Sequence, residues 1–299
     1  METDSLPQEF TSLDDLTKEI DTNVNRIIDV FRFILKYQML FRGGGIEFAG
    51  LRHYVLGEDD AKRIDWRASL RAKELMVRDY EEERDLDVVI LLDSSASMLL
   101  GTTGKLKSEY AAIVAGVLVY AGIETGDNVG FIMFNDKIVA SVDPSKDIAN
   151  YYVILKMLVD PRNWGGGANL EEALKRSMST IGEKSVLFLI SDFIGVGDEW
   201  NNSVKMAAAK FSEVFGIMIL DERDDKIPPG IGVMRLKDPF SGEVSTINMD
   251  AARKKYMQLA QAKEEKTFAT FHEAHSRFVK VYSHENFVEP LVKYLEMEE

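Results

Sequence analysis

Three oxygen-bearing side chains at alternate positions, Asp93, Ser95 and Ser97, follow directly on an apolar run, Val88-Val89-Ile90-Leu91-Leu92. One tight loop can turn an acid and two hydroxyls so spaced toward a common point. Such a hard donor set suits Mg²⁺, which prefers octahedral oxygen coordination at roughly 2.0–2.1 Å and keeps several waters. Far along the chain a second apolar run, Val186 to Ser191, ends in another acid, Asp192. Asp or Ser after a strand is otherwise a common helix N-cap. The helical pattern here begins only near Lys105, so capping explains Asp93 poorly.

The elements that must position these residues follow from periodicity. Residues 88–92 read as a strand buried on both faces, as in the middle of a parallel sheet. Residues 129–134 read as a second strand, and Asn135-Asp136 turns the chain into an antiparallel edge strand over 137–142. Residues 186–191 and 215–220 supply the fourth and fifth strands, and 232–236 are expected to supply the sixth. Helical patterns over 105–123, 148–158 and 170–181 alternate with them, the last capped by Asn169. A long charged helix over 251–275 and a final one over 288–295 complete the chain, with 238–243 as a turn between two short strands. This alternation predicts an α/β doubly wound, mostly parallel sheet. In the order 3-2-1-4-5-6, strands one and four are neighbours at the switch point, where ligands bind outside the carboxyl ends. Asp93, Ser95, Ser97 and Asp192 are therefore expected to line one solvent-accessible cavity.

Composition narrows the field. With 299 residues there is room for a large core, and 45% hydrophobic with 29% charged residues is ordinary for a globular chain. A net charge of −14 argues against a nucleic-acid binder, which normally carries a basic stripe. Without cysteine, disulfides, thiolate catalysis and zinc–sulfur sites are excluded. The start is acidic and polar, and the apolar stretch 27–41 contains Asp29, Arg32 and Lys36, so neither a signal peptide nor a membrane span is expected. The expected location is cytoplasmic. Three divisions are expected: an amphipathic helical segment over 1–44, a charged segment over 45–84, and the α/β domain over 85–299.

In the first, apolar residues at helical spacing run over 13–40 and end at Gly43-Gly44-Gly45. No Gly-Lys-Ser/Thr follows these glycines, so a phosphate loop is a weak reading. In the second, Trp66 stands among charges. If helical, Arg63, Arg67 and Arg71 share a face, and Trp66 is expected to be largely buried against the sheet domain, with the charges of Arg63, Asp65 and Arg67 paired around it. Other motifs are thin: His272 and His275 lack the His-Glu-x-x-His spacing, and residues 101–105 lack that of a Walker loop.

The segment Gly57-Glu58-Asp59 to Trp66, then Glu74-Leu75 and Tyr80 to Arg84, together with Asp93-x-Ser95-x-Ser97, is similar to the signature of the domain-of-unknown-function 58 family. The resemblance runs from about Glu47 to the carboxyl end. It implies a von Willebrand factor A-like fold, the short soluble form of the family, and a MoxR-type AAA+ ATPase as partner. Asp-x-Ser-x-Ser also resembles the first motif of the metal-ion-dependent adhesion site, which further takes a threonine from a Gly-Gly-Thr loop. Here Gly166-Gly167-Ala168 puts Ala168 in that place. The resemblance thus implies a Mg²⁺ site (or Mn²⁺ or Ca²⁺), either with water in place of that hydroxyl or weakened or vestigial for want of it. The expected function is a metal-dependent protein-binding module rather than an enzyme. It would act as co-chaperone or adaptor to the ATPase, its cation completed by a carboxylate of the ATPase or a client. The alternatives are a Mg²⁺-dependent phosphohydrolase with Asp93 as nucleophile, and a scaffold with a dead site.

Overall fold

Successive side chains of a strand point to opposite faces, so an all-apolar strand needs cover on both sides. The computed structural model of the chain supplies it. Residues 12–24, 28, 46–55, 59–82, 87–102, 104–197 and 199–296 are described. The chain divides into two units, Met1–Phe31 with Leu86–Glu299, and Arg32–Asp85. Helix α1, residues 13–24, belongs to the larger and buries Leu16, Ile20 and Val24 at helical spacing. The rest of the helix expected over 13–40, apart from helical Ile28, lies outside the described residues, as does the triple glycine.

The smaller unit holds β1 (Ile46–His53), α2 (Trp66–Ala72) and β2 (Met76–Glu82), with β1 and β2 antiparallel. The Asp65 side chain caps α2, accepting from the Arg67 and Ala68 N–H groups. Inside, the Ser69 hydroxyl donates to the Asp65 carbonyl at 2.7 Å and accepts from the Met76 N–H at 2.9 Å. Trp66 departs from expectation: it is 64% exposed, and Leu70 is exposed beside it. Ser69 is the buried residue of this two-turn helix, so α2 offers no apolar face for Trp66 to join. Arg67 and Arg71 lie on α2, whereas Arg63 ends a separate 3₁₀ turn, Ala61–Arg63, so one helical face of three arginines is not formed.

The larger unit continues with β3 (Asp87–Asp93), α3 (Lys107–Glu124), β4 (Asn128–Phe134), β5 (Ile138–Ser145), α4 (Ile148–Val159) and α5 (Leu170–Thr180). Then come β6 (Ser185–Ser191), α6 (Trp200–Lys210), β7 (Glu213–Leu220), α7 (Glu222–Asp225), β8 (Val233–Lys237) and β9 (Val244–Asn248). Last are α8 (Met249–Glu273), β10 (Arg277–Tyr282) and α9 (Val288–Glu296). The central sheet runs β10-β7-β6-β3-β4-β5, all parallel except the antiparallel edge β5. Counted along the chain among its own strands, this is the doubly wound order 3-2-1-4-5-6.

The sixth strand is not where the sequence pattern put it. Residues 233–237 form a separate hairpin with β9, and β10 takes the sheet edge. The cause is burial: β8 alternates Arg235 and Lys237 with residues that stay largely exposed, whereas β10 buries Phe278, Val279 and Val281.

Val89 and Leu91 pack with α5, α6 and α8 in one core, while Val88, Ile90 and Leu92 are buried toward the face that α3 covers. Gly216 lets the aromatic pair Phe271 and Phe278 lie on β7, since a Cβ there would stand 2.5 Å from the Phe271 ring. Gly116 of α3 likewise admits Ile20 of α1. Trp200 is buried against Phe193, and Trp164 is buried with its indole N–H donating to the Leu158 carbonyl at 2.9 Å. Among the described residues no helix is long and apolar enough to cross a membrane.

Candidate functional site

β3 and β6 are adjacent and in register, Leu92 opposite Ile190, so Asp93 and the Ser191-Asp192 step leave the sheet together. Asp93 Oδ1 accepts from the Ser95 N–H at 2.8 Å, which folds the following loop back over the strand end. Asp93 Oδ2 accepts from the Ser191 hydroxyl at 2.6 Å, a bond that joins the two strand ends directly. The Ser95 and Ser97 hydroxyls lie 3.1 Å apart, and Ser97 Oγ donates to Asp192 Oδ1 at 3.1 Å. All four sequence-derived residues, Asp93, Ser95, Ser97 and Asp192, thus meet in one hydrogen-bonded cluster.

A third loop locks onto this pair. The Gly165 N–H donates to the Ser94 carbonyl at 2.7 Å and the Ala96 N–H to the Gly166 carbonyl at 3.0 Å. The Asn135 side chain holds the Gly165 carbonyl at 2.7 Å, and Asn169 caps α5. Gly166 has φ 82°, and a Cβ there would stand 3.1 Å from the Asn135 and Asp136 side chains, so glycine is required where this loop turns. Half-buried Ala168 closes the same loop.

Among the described residues, the four sequence-derived ones do not open onto the expected solvent-accessible cavity. Asp93, Ser95, Ser97 and Asp192 are all fully buried. Gly166 is exposed, and Ala96 and Ala168 are half-buried, where the loops reach solvent. Phe193, directly after Asp192, adopts a left-handed φ of 54°, costly for an aromatic residue. That turn is covered from above: Phe240, in the turn between β8 and β9, lies against Gly195, and Lys263 of α8 donates to the Asp192 carbonyl at 3.0 Å.

Two further groups belong to the site. Lys107, fully buried at the start of α3, donates from Nζ to Asp192 Oδ2 and to Asp224 Oδ2, each at 2.8 Å. Asp224 is fixed in turn by accepting from the Asp221 N–H at 2.9 Å, while Asp221 receives the Thr102 N–H at 2.7 Å. Burial opposes the charge on Lys107, but the Asp192 and Asp224 carboxylates outweigh it and hold the ammonium above its usual range. Burial and then the neighbouring Asp192 push the Asp93 carboxyl up from 3.8 to about 7, against the hydrogen bonds from Ser191 and Ser95. Burial lowers Lys263.

The two aspartates differ in one respect. Among the described residues, Asp192 is met by an ammonium, whereas Asp93 is met by neutral donors and sits in a field that favours its protonated form. Two carboxylates flanked by hydroxyls, one of them short of positive charge, fit a hard divalent cation. Asp93, Ser95 and Ser97 would hold it, with Asp192 as the second acid, and it would supply the charge that Asp93 lacks.

The sheet order, the paired acids and the two serines define a class: a doubly wound α/β domain with an acid–hydroxyl cluster at its switch point. More narrowly, the chain belongs to the family described as Protein of unknown function DUF58, which matches residues 50–266. An uncharacterized protein of Mycobacterium tuberculosis is 27% identical over 215 residues, 71% of this chain and 67% of the relative. A Mycobacterium bovis protein, also uncharacterized, matches to the same extent. Of solved structures, the conserved hypothetical protein BatB from Bacteroides thetaiotaomicron matches 70% of this chain and 97% of its own with 17% identity and a TM-score of 0.45. The SpRpn10 VWA domain matches 69% and 93% with 12% identity and a TM-score of 0.40.

Proposed function

We propose that this protein is a von Willebrand factor A-like binding module that holds a divalent cation at Asp93, Ser95, Ser97 and Asp192 and works as an adaptor to a MoxR-type AAA+ ATPase. The carrying observation is the meeting of those four side chains, drawn from two strand ends, with one acid that meets no cation among the described residues. The cation lends the rim a positive charge that a partner's carboxylate completes, beside exposed Gly166. The phosphohydrolase reading has less support. Such an enzyme uses a second acid two residues after the nucleophile, and Ser95 stands in that place. Exposed Trp66, with Leu70 beside it, supports α2 as the docking surface for the ATPase, because tryptophan is a frequent interface anchor.

The test is thermal unfolding of chelator-treated protein with added Mg²⁺, Mn²⁺ or Ca²⁺. A ligand that binds only the folded state stabilises by about 2.7 kcal/mol at a hundredfold excess over Kd. The native chain should shift slightly, Ala168→Thr more, because it restores a hydroxyl donor, and Asp93→Asn not at all. Absence of a metal-dependent shift in both the native chain and the threonine variant would leave a scaffold with a dead site.

A further inference from the structure

We infer that Lys107 is a resident counter-ion that competes with the divalent cation for Asp192 and so sets the site's cation affinity; this rests on the cation reading above. The helix that carries it explains why a lysine is unexpected there. From Tyr110 to Ile123, α3 has no charged residue, and it is buried on nearly every side. A lysine at the head of such a helix stays ionised only if carboxylates meet it. Two do, each at 2.8 Å, and they differ in their other duties. Asp192 Oδ1 already accepts from Ser97 and from the Ile194 N–H at 2.8 Å, so Oδ2 is the oxygen that Lys107 holds. Asp224 lies on α7, away from the serine loop, and is anchored by its own capping bond.

The ammonium therefore has two seats, one inside the cation site and one beside it. When a divalent ion draws on Asp192, Lys107 retains Asp224 and need not be stripped of both partners. Without an ion, the same ammonium neutralises Asp192 and keeps the two strand-end acids from repelling each other apart. A positive charge this close also opposes entry of a second one. Affinity then depends on how strongly Asp224 holds Lys107 back, so the two residues should act in opposite directions.

Calorimetric titration of Mg²⁺ and of Mn²⁺ into the chelator-treated full chain at pH 7.5 tests this. Lys107→Met, of similar length and uncharged, should tighten binding by at least about tenfold. Asp224→Asn, which keeps an acceptor oxygen for the Asp221 N–H but removes the charge, should weaken it by a similar factor, because the Asp192 carboxylate is then the stronger of the two seats for Lys107. A lysine needed merely for packing would give neither the gain nor the opposite signs. Binding by the native chain with Lys107→Met unchanged or weaker would overturn the role of Lys107 and leave the cation site standing. If Lys107→Met fails to fold, an Asp224→Asn affinity equal to or tighter than native overturns it. No binding by the native chain, Ala168→Thr or Lys107→Met would overturn both.

Discussion

Asp93 makes the site's chemistry depend on pH in a direction opposite to the usual carboxylate. Its ordinary value of 3.8 is raised to about 7 by burial and by Asp192. Between those values the native chain keeps a proton that the unfolded chain has lost, so stability must fall as pH rises across that window and level off above it. In chelator, urea unfolding from pH 4.5 to 8 should show this decline in the native chain and a flatter profile in Asp93→Asn, the gap reaching on the order of a few kcal/mol. Parallel profiles would contradict it. Metal should reverse the trend, stabilising more as pH rises, because the ligand must be ionised. At this scale the sequence was half legible. Asp93 and Asp192 announce themselves as acids at the ends of apolar strands, and Ser95 and Ser97 by their spacing. Lys107 and Asp224 carry no such local mark. The usable signal was indirect: a lysine at the head of a buried helix that is uncharged from Tyr110 to Ile123 requires a carboxylate beside it, but only the fold says which.

Among elements, the contrast between β8 and β10 shows what periodicity can and cannot settle. The four inner strands were readable because unbroken apolar runs force burial on both faces, and the antiparallel edge because a two-residue turn leads into it. β10, Arg277–Tyr282, mixes Arg277 and Lys280 into its pattern, as an edge strand can, and so carries no unbroken apolar run. Its place at the edge is enforced by Gly216 on β7, where a Cβ would stand 2.5 Å from the Phe271 ring and 2.8 Å from that of Phe278. Gly216→Ala should therefore cost about 1–3 kcal/mol by overpacking. The expected reading is a lower urea midpoint with an unchanged slope. An unaltered midpoint would mean that the ring pair shifts freely.

For the molecule as a partner, the prediction lies in the smaller unit. Trp66→Ala removes a side chain that is 64% exposed, so stability should change by no more than about 0.5 kcal/mol. Binding to the proposed ATPase should weaken by more than about tenfold, measured by surface capture of the purified partner. Equal affinity of variant and native chain would remove α2 from the interface. The burial expected of Trp66 failed for a reason the sequence did not display: which of α2's few residues faces inward was decided by the hydrogen bonds of Ser69.

The three tryptophans also divide by environment: Trp164 and Trp200 are enclosed, Trp66 is in water. Their fluorescence is accordingly two signals in one chain. A quencher such as acrylamide should reach Trp66 in the native protein and the other two only after unfolding. A partner seated on α2 should dim quenching and shift the emission to shorter wavelength while the enclosed pair stays constant. Docking and unfolding can thus be followed in one sample without a label, and Trp66→Phe would silence the first signal and spare the second.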